Sequence, residues 1–512
     1  MYSSLSSFGL NGIEPYIVSV EVDCRRALPG FDIVGLPDTA VKESRDRVRA
    51  AVKNLGYPNI ESKVVANLAP ADTKKQGSVY DLPILLALLV ACGYEKLDFG
   101  GVAVIGEIGL SGELRGVPGV LPMVLDAQKL GFDRVIVPAQ NAAEASVSTG
   151  AQVLCAAHAR EVIAYLKGKR SLPPARDVQS GETSPPPFLP DLCDVKGQQE
   201  AKRALEVAAA GGHNMLLIGP PGTGKSMLAK RLPSILPPMT RQESIEVTKV
   251  HSVAGLLPPG VALLEHRPFR SPHHTVSAAS LTGGGPIPRP GDISLAHCGV
   301  LFLDELPQFQ KNVLEVLRAP LEDGMVSISR VRQRLTFPSR AMLVAAMNPC
   351  PCGLFGHPAK KCGCSPIAIS RYLSRISGPL LDRIDVHMEV LPVEYEQLAS
   401  GRKEESSAAV RERVSAARKI QVERFRGQGG EISCNAYIPA SLLEEVCQME
   451  KPAQALLKSA FDRMGLSARG YGRILKVART VADLDGAGMI GPAHIAQAIQ
   501  MRSLDRKYWG NE

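Results

Sequence analysis

The stretch that most constrains the fold is an eight-residue loop that fits the pattern G-x-x-x-x-G-K-[ST] in full. It consists of Gly219, Pro220, Pro221, Gly222, Thr223, Gly224, Lys225 and Ser226. The apolar run 215–218 before it predicts a buried parallel strand, and 227–232 after it predicts the start of a helix. Backbone N–H groups of such a turn and of the helix N-terminus converge on phosphates. We therefore expect Lys225 on the β- and γ-phosphates of a nucleotide and Ser226 on Mg²⁺.

Polar side chains end two further apolar runs. Asp304 and Glu305 follow the run 299–303, and Asn348 follows the run 342–347. In open α/β sheets, ligands bind at the carboxyl ends of the strands. We expect Asp304 to hold Mg²⁺, Glu305 to polarise the attacking water, and Asn348 to orient that water or contact the γ-phosphate. The predicted fold class is α/β, with a P-loop core of three layers.

Composition bounds the number of domains and the kind of partner. At 512 residues, the chain should form about three domains. The net charge of +8 favours an anionic partner such as nucleic acid without requiring one. No secretory signal is visible, and the most apolar run, 82–92, is too short to cross a bilayer. We expect a cytoplasmic protein with no membrane partner.

Changes in pattern along the chain predict four segments. Residues 1–170 predict an α+β domain, with strands at 16–22, 63–68, 102–105 and 134–138, a hairpin at 106–114, and helices at 38–56, 81–91 and 123–130. The Pro-rich stretch 171–190 is expected to be an extended linker. The nucleotide-binding core should span 191–395. A helical lid should span 396–512, with helices at 407–425, 442–449, 453–464, 469–485 and 493–502.

Residues 106–114 and 130–141 resemble the Lon-protease-type domain, including the version carried by the RadA recombination protein. Active Lon proteases use a Ser–Lys dyad. Val79 stands where the serine belongs and Leu121 where the lysine belongs, so the resemblance implies an inactive domain, with Ser78 as a displaced candidate nucleophile. We expect a scaffold or a nucleic-acid platform, and solvated surface charge is the alternative reading of its basic residues. These are Arg45, Arg47, Arg49, Lys74 and Lys75.

The segment 271–297, together with the loop and strand-end motifs, resembles the magnesium-chelatase-like AAA+ family, and within it the YifB/ComM branch, over essentially the whole chain. The resemblance implies an AAA+ core that assembles into a homo-hexamer. It implies Asn348 as sensor 1 and Arg383 as the arginine finger that reaches the neighbouring protomer's nucleotide. A solvated or salt-bridged Arg383 is the alternative. By the same likeness, Arg469 is the sensor-2 arginine on the γ-phosphate, with Arg473 as runner-up.

The same resemblance implies that 253–293 is an insert within helix 2 that projects into the ring pore, and its Pro and Gly content agrees with an exposed loop. His273 and His274 within it are pore-loop contacts, structural residues or metal ligands. Ser467 is a plausible N-cap, which would put Arg469 in the first helical turn, facing the core. Trp509 falls in an expected frayed tail.

Four of the 11 cysteines, Cys350, Cys352, Cys362 and Cys364, lie close together in the sequence. In a reducing compartment such a cluster favours a structural Zn²⁺ site over disulfides, with His357 as a substitute ligand. The C-x-C spacing departs from the usual C-x₂₋₄-C, so free thiols or an oxidation-sensitive site stay open. The scattered cysteines Cys24, Cys92 and Cys155 are interpreted as small core residues.

Four hypotheses about function follow. The first is a hexameric DNA motor using ATP and Mg²⁺, similar to the ComM branch, which is associated with branch migration of recombination intermediates during DNA uptake. The second is a protein-remodelling or scaffold ATPase without a DNA track. The third is a chelatase motor subunit that drives metal insertion into a porphyrin. The fourth, a Lon-type protease, is disfavoured by Val79 and Leu121.

Overall fold

The computed structural model of the protein describes residues 1–178, 189–285, 288–330, 333–357, 359–393, 395–396, 404–426, 432–464 and 467–509. We call 1–178 the front region, the described part of 189–396 the nucleotide-binding region, and the described part of 404–509 the C-terminal region. Across these described ranges, no helix has the length and apolar character needed to cross a bilayer.

The front region is built on a seven-stranded mixed sheet. The strands of the front region, inside and outside this sheet, are β1 (Tyr2–Asn11), β2 (Glu14–Arg25), β3 (Gly30–Val34), β4 (Lys63–Ala69), β5 (Val102–Val104), β6 (Glu107–Ile108), β7 (Leu114–Arg115), β8 (Arg134–Pro138) and β9 (Gln152–Ala156). Its helices are α1 (Thr39–Asn54), α2 (Asp81–Ala91), α3 (Val120–Asp126), α4 (Ala142–Ala145) and α5 (Ala159–Leu166). The strand order is β3-β4-β2-β1-β5-β8-β9, and β6 and β7 form the predicted hairpin apart from this sheet.

Local sequence explains most of these elements. The carboxylate of Asp38 caps α1 by accepting the Val41 N–H at 2.8 Å. Nearly every residue of α2 is buried, as expected from its continuous apolar run. The third helix occupies 120–126 instead of the predicted 123–130, because it begins directly after the left-handed Gly119. The serine-rich β1, which sequence reasoning missed, pairs antiparallel with β2 along its full length.

The first part of the expected linker packs on the front region instead of extending away. Leu172 and Ala175 are buried, and the Cys155 N–H donates to the Pro173 carbonyl at 2.9 Å. Residues 175–177 form a 3-10 turn. The apolar side chains at 172 and 175 account for this packing. Residues 179–188 of the expected linker lie outside the described part of the chain.

A five-stranded parallel sheet forms the centre of the nucleotide-binding region, in the order β11-β14-β17-β10-β18. These five strands are β10 (Met215–Ile218), β11 (Phe269–Arg270), β14 (Val300–Leu303), β17 (Met342–Met347) and β18 (Val386–Glu389). Two hairpins lie outside it, β12 (Gly283–Gly284) with β13 (Arg289–Pro290), and β15 (Met325–Arg330) with β16 (Gln333–Pro338). The helices are α6 (Gln199–Gly211), α7 (Lys225–Ala229), α8 (Leu232–Ile235), α9 (Arg241–Ala254), α10 (Ala278–Thr282), α11 (Asp292–Leu295), α12 (Lys311–Glu315), α13 (Arg318–Asp323), α14 (Pro366–Leu373) and α15 (Gly378–Leu381).

Apolar clusters cover both faces of this sheet, which is why its strands read as continuous apolar runs. One cluster joins the sheet to α6 and to helices of the C-terminal region. The other packs it against α10 to α15 and the end of the chain. The predicted three-layer α/β core is therefore observed.

The expected insert at 253–293 is too wide. Phe269–Arg270 is a strand of the central sheet, and α9 ends at Ala254 with the left-handed Gly255 as its cap. The interruption between helices is the β12–β13 hairpin, which separates α10 from α11. Residues 286–287 at its tip lie outside the described residues. The β15–β16 hairpin had no counterpart in the sequence prediction.

The C-terminal region is helical, as predicted. It contains α16 (Ser407–Arg424), α17 (Leu443–Val446), α18 (Lys451–Met464), α19 (Ala468–Leu484), α20 (Pro492–Gln500) and α21 (Leu504–Trp509). The helix expected at 442–449 is only one turn long. Trp509 is not frayed, because its indole N–H donates to the Leu373 carbonyl at 3.4 Å and its ring lies against His387.

Candidate nucleotide-binding site

The phosphate loop, 219–226, connects β10 to α7 at the carboxyl edge of the parallel sheet. A Cβ on Gly219 would lie 2.1 Å from the Val390 carbonyl oxygen, so only glycine allows the loop to leave β10 beside the end of β18. The Thr223 hydroxyl donates to the Pro220 carbonyl at 2.9 Å and closes the turn. Strand, turn and helix thus stand in the order that a phosphate-binding loop requires.

Lys225 is buried at the start of α7. Its Nζ donates to the Gly219 and Pro220 carbonyls, each at 2.7 Å, and to Asn348 Oδ1 at 3.2 Å. Burial lowers the pKa of Lys225 to about 8, against the opposing pull of the nearby carboxylates of Asp304 and Glu305. The predicted lysine and the predicted strand-end amide are therefore in direct contact.

Ser226 and Asp304 form the pair predicted for Mg²⁺. The Ser226 hydroxyl donates to Asp304 Oδ2 at 2.6 Å, although the two residues come from α7 and from the end of β14. Hydroxyl and carboxylate oxygens are ligands that suit Mg²⁺, which usually takes one or two protein ligands beside phosphate and water. The donor set fits that ion.

Glu305 lies at the same edge with an exposed side chain. Its backbone is left-handed, with φ of 52°, and its N–H donates to Asp304 Oδ1 at 2.9 Å. The left-handed conformation turns the chain immediately after the strand. The side chains of Asp304 and Glu305 therefore point in different directions. Strand β17, which carries Asn348, lies between β14 and β10. Lys225, Asp304, Glu305 and Asn348 therefore meet at one edge of the sheet.

Arg383 lies at the opposite edge of the sheet. Its carbonyl accepts a hydrogen bond from Asn214, which directly precedes β10, at 2.8 Å. The four residues of β10 put roughly 13 Å between that point and the phosphate loop. The guanidinium donates to the Pro379 carbonyl at 2.7 Å and forms an ion pair with Glu322, while its buried Nε has no partner among the described residues. Arg383 is thus remote from its own phosphate loop.

The predicted position of Arg469 is correct in register but wrong in direction. Ser467 caps α19 by accepting the Gly470 N–H at 3.1 Å, so Arg469 lies in the first turn. However, its side chain is exposed and does not face the core. The alternative, Arg473, donates to buried Asp385 at 2.6 Å. His213 and Arg473 hold the pKa of that carboxyl well below its usual range, so Arg473 belongs to a buried ion pair.

The four clustered cysteines are brought together as predicted. Their sulfur atoms all lie within 4.8 Å of one another, and Cys350 is buried while Cys352 is exposed. His357 is not part of this group, and its Nδ1 accepts the N–H groups of Ala359 and Lys360 at 3.0 and 3.2 Å. The donor set that fits a metal is therefore four sulfurs without an imidazole.

Two other groupings were not expected from the sequence. Cys24 and Cys92 are not scattered, since their sulfurs lie 2.9 Å apart between β2 and the end of α2. Glu246, His297 and Cys298 also lie within 4.8 Å. His297 already bonds Glu246 through Nε2 and accepts the Arg340 N–H at Nδ1, which is a structural role. The rings of His273 and His274 lie with centroids 4.0 Å apart. This contact does not decide whether they are pore-loop contacts, structural residues or metal ligands.

The two positions at which the Lon resemblance would place a dyad are buried. Val79 and Leu121 are both core residues, and the Ser78 hydroxyl donates to the carboxylate of Glu107, not to the amine of a lysine. The Leu121 N–H donates to Glu144 Oε2 at 3.1 Å, and Ser252 from α9 donates to the same oxygen at 2.5 Å. Leu121 and Glu144 therefore lie where the front region contacts α9 of the nucleotide-binding region.

The basic residues proposed for a nucleic-acid platform are only partly available. Lys75 is fully buried, and Arg47 pairs with the buried Asp81 at 2.6 Å. Arg49 lies over the Phe31 ring at 5.8 Å, and Arg45 pairs with Asp46 at 3.1 Å. Of the five candidates, Lys75 and Arg47 have structural contacts, so the five residues do not all contribute to one exposed basic surface.

The loop has the phosphate-binding pattern, polar side chains meet beside it at the carboxyl ends of the parallel strands, and helices pack on both faces of the sheet. These features are those of an AAA+-type ATPase core. Three family models match the chain: "Subunit ChlI of Mg-chelatase" at 20–141, "Magnesium chelatase, subunit ChlI" at 191–398, and "Magnesium chelatase, subunit ChlI C-terminal" at 404–502. The chain therefore belongs to the magnesium-chelatase-like family, in its YifB/ComM branch, as the relatives make clear.

Several relatives match almost end to end, including two from Haemophilus influenzae and Salmonella typhimurium. The "Competence protein ComM" of Haemophilus influenzae is 44% identical over 97% of this chain and 96% of its own length. The "Uncharacterized protein YifB" of Salmonella typhimurium is 43% identical over the same shares. The "Magnesium-chelatase 38 kDa subunit" of Rhodobacter capsulatus is 25% identical over 60% of this chain and 85% of its own. An archaeal Lon protease of Methanothermobacter thermautotrophicus is 38% identical, but over only 15% of this chain and 12% of its own, so the Lon likeness has weak support.

Proposed function

We propose that the protein is a hexameric motor that hydrolyses ATP to act on DNA, with branch migration or helicase activity in recombination or natural transformation. The observation that carries the proposal is the meeting of Lys225, Asp304, Glu305 and Asn348 at one sheet edge. The net charge of +8 and the name of the Haemophilus influenzae relative favour DNA as the track.

Each residue at this edge has a distinct task. Backbone N–H groups of 219–226 and the Lys225 ammonium hold the phosphates. Ser226 and Asp304 would hold Mg²⁺, which neutralises charge that develops on the phosphate oxygens. Glu305 is exposed and not committed to the metal, so it is free to polarise the attacking water. Asn348, which already contacts Lys225, positions the attacking water relative to the γ-phosphate.

The position of Arg383 favours assembly into a ring. It lies across the sheet from its own phosphate loop, so it serves catalysis only by reaching the nucleotide of a neighbouring protomer. Exposed Arg469 is proposed to reach a γ-phosphate after the C-terminal region moves over the site. The proposal includes ATP and Mg²⁺ as cofactors, and a structural Zn²⁺ at the four cysteines, because four thiols within 4.8 Å suit that ion.

Mixed rings test the assignment of Arg383. Arg383→Ala protomers keep an intact pocket, and Glu305→Gln protomers keep an intact Arg383. Each variant alone should be inactive, whereas a mixture should regain part of the ATPase activity at interfaces that join the two intact groups. Two batches of Glu305→Gln mixed together are the matched control. Co-assembled mixed rings without activity would contradict a role across the interface.

DNA stimulation of ATP turnover tests the track. Added DNA should raise the ATPase rate, and the apparent affinity should fall steeply as salt rises, because phosphate contacts release counterions. The reaction is then followed on a labelled four-way junction, with Glu305→Gln as the inactive control. An ATPase rate that DNA does not change would leave a protein-remodelling or scaffold function in its place.

A chelatase motor subunit is the second candidate, favoured by the names of the three family models and of the Rhodobacter capsulatus relative. That relative covers only 60% of this chain, which weakens the case. Added porphyrin, Mg²⁺ and cognate chelatase subunits should change the ATPase rate only if this function is correct. A casein digest should stay blank, because Val79 and Leu121 cannot form a dyad.

A further inference from the structure

The four cysteines have the geometry of one closed metal site. Cys350 Sγ lies 3.4 Å from Cys352 Sγ and 3.6 Å from Cys362 Sγ, and the latter two are 3.6 Å apart. Four thiolates at 2.3 Å around a tetrahedral zinc ion lie about 3.8 Å from one another. The observed set needs only small shifts of the side chains to match that spacing. A closed shell of four thiolates leaves no position for a substrate, so the metal would be structural.

Backbone groups already point at these sulfurs. The Phe355 N–H donates to Cys350 Sγ at 3.3 Å, and the Cys364 N–H donates to Cys362 Sγ at 3.4 Å. Hydrogen bonds from outer groups orient metal ligands and tune the site. Such donors stabilise thiolates, which are the form that binds metal. The surrounding backbone thus supports metal ligation by two of the four sulfurs.

The loop that carries the cysteines rests on the phosphate loop. Gly353 has φ of +77°, and a Cβ added to it would lie 2.5 Å from Pro221 Cδ, so its backbone contacts that proline directly. Asn348, two positions before Cys350, bonds Lys225. On the far side, the Phe355 ring contacts Tyr508 of α21, with centroids 6.1 Å apart. The cysteine loop therefore lies between the phosphate loop and the end of the chain.

We propose that Cys350, Cys352, Cys362 and Cys364 bind one zinc ion that braces the phosphate loop, so that metal occupancy sets nucleotide affinity. The ion holds the cysteine loop in the fold that presses Gly353 on Pro221 and keeps Asn348 in reach of Lys225. Among the described residues of 351–361, only Gly353 is buried, so without the ion little packing holds the loop. The proposal rests on the ATP site described under the proposed function and deepens it.

The first arm of the test measures metal and nucleotide binding together. The full chain is purified without chelator, zinc is counted by mass spectrometry, and a fluorescent ATP analogue is titrated. We expect about one zinc per chain in the wild type and almost none in Cys352→Ser/Cys362→Ser. The analogue should bind about tenfold more weakly to the double variant, because its phosphate loop is no longer fixed. Cys193→Ser, which changes a cysteine outside the cluster, should match the wild type in both measurements.

The second arm separates the brace from general misfolding. Gly353→Ala keeps all four cysteines but adds a Cβ against Pro221, so zinc should stay near one per chain while analogue affinity falls. Equal analogue affinity with and without zinc would overturn the brace, and a wild-type chain without zinc would overturn the site. A chain that holds zinc but binds no ATP analogue would contradict the proposed function itself. These outcomes are therefore distinguishable.

Discussion

Lys225 in the nucleotide-binding region and Lys75 in the front region make an instructive pair. Both are buried, and both donate to two backbone carbonyls, those of Gly219 and Pro220 for the first and those of Pro70 and Thr73 for the second. Burial lowers the pKa of each amine. By these measures alone, the two loops would be equally good candidates for a chemical site.

Their surroundings differ. Lys225 contacts Asn348, and the carboxylates of Asp304 and Glu305 come from a neighbouring strand end. Near Lys75, the loop continues to a serine bonded to Glu107 and to a buried Val79. A buried lysine alone therefore does not indicate a functional site. A chemical site also needs polar side chains that different strands bring together at their carboxyl ends.

Glu305→Gln should have the largest effect and gives the hardest test of this contrast. Loss of the carboxylate that polarises water should lower kcat by about 10²- to 10⁴-fold, with ATP still bound. Glu107→Gln changes the carboxylate that Ser78 contacts, three residues after Lys75, and should leave ATP turnover unchanged. Steady-state phosphate release and analogue binding measure both. Normal turnover in the first variant would break the contrast between the two loops.

The two lysines themselves give the next largest difference. Lys225→Ala should weaken binding of an ATP analogue by about 10- to 100-fold, since it removes a charge-assisted contact with phosphate. Lys75→Ala should leave that affinity unchanged but lower the free energy of unfolding by about 1–3 kcal/mol, because two hydrogen bonds to backbone carbonyls are lost. Titration and denaturant unfolding distinguish these results. An equal loss of nucleotide affinity in both variants would show that the contrast is mistaken.

A pH series sharpens the contrast further. The pKa of Lys225 is lowered to about 8, so its amine loses charge as the pH rises above that value. Affinity for the ATP analogue should then fall by up to about tenfold per pH unit, because phosphate binds the charged amine. Lys225→Arg keeps its charge and should show a flat profile between pH 7 and 9. If the wild type and Lys225→Arg showed the same pH dependence of analogue affinity, Lys225 would not be the group that binds phosphate.

The smallest expected effect concerns Glu144, which links the front region to Ser252 of the nucleotide-binding region. Burial raises the pKa of Glu144, against the hydrogen bonds from Ser252 and Asn141 and the Leu121 N–H. The folded chain therefore holds this proton more tightly than the unfolded chain, and the stability it contributes is lost as the pH rises above the ordinary glutamate value. Glu144→Gln should lack this loss, with a difference of about 1 kcal/mol per unit of pKa shift. Thermal melts from pH 4 to 8 check it, and an unchanged pH dependence in the variant would contradict the assignment.

Sequence reasoning was strongest where one short pattern decides the structure. Helix α2 (Asp81–Ala91) and strand β8 (Arg134–Pro138) were predicted to the residue, because a continuous apolar run and a β-branched run leave little choice. Strand β1 was missed, since its paired serines are typical of a loop and only the ladder with β2 makes the segment a strand. The short β11 was missed for a similar reason, because it is a strand only by virtue of its neighbour β14.

The candidate site shows the same division. Motif order was enough to predict Lys225, Ser226, Asp304 and Asn348, because the carboxyl ends of parallel strands meet at one edge. The outward direction of Arg469 and the pairing of Arg473 with Asp385 depend on how α19 packs, which no local pattern encodes. The contact of Gly353 with Pro221 also joins distant segments, so only the folded chain reveals it.

The turn between β1 and β2 has a practical consequence for handling the protein. A short glycine turn at the end of a hairpin is usually a safe place for a label or an inserted peptide. Here a Cβ on Gly12 would lie 2.9 Å from the carbonyl oxygen of Thr336 in β16, and Ile13 packs with residues of α9. A tag at this turn would disrupt the contact between the front region and the nucleotide-binding region. At Gly131 a Cβ would meet nothing within 4 Å, so a tag placed there would leave that contact unchanged.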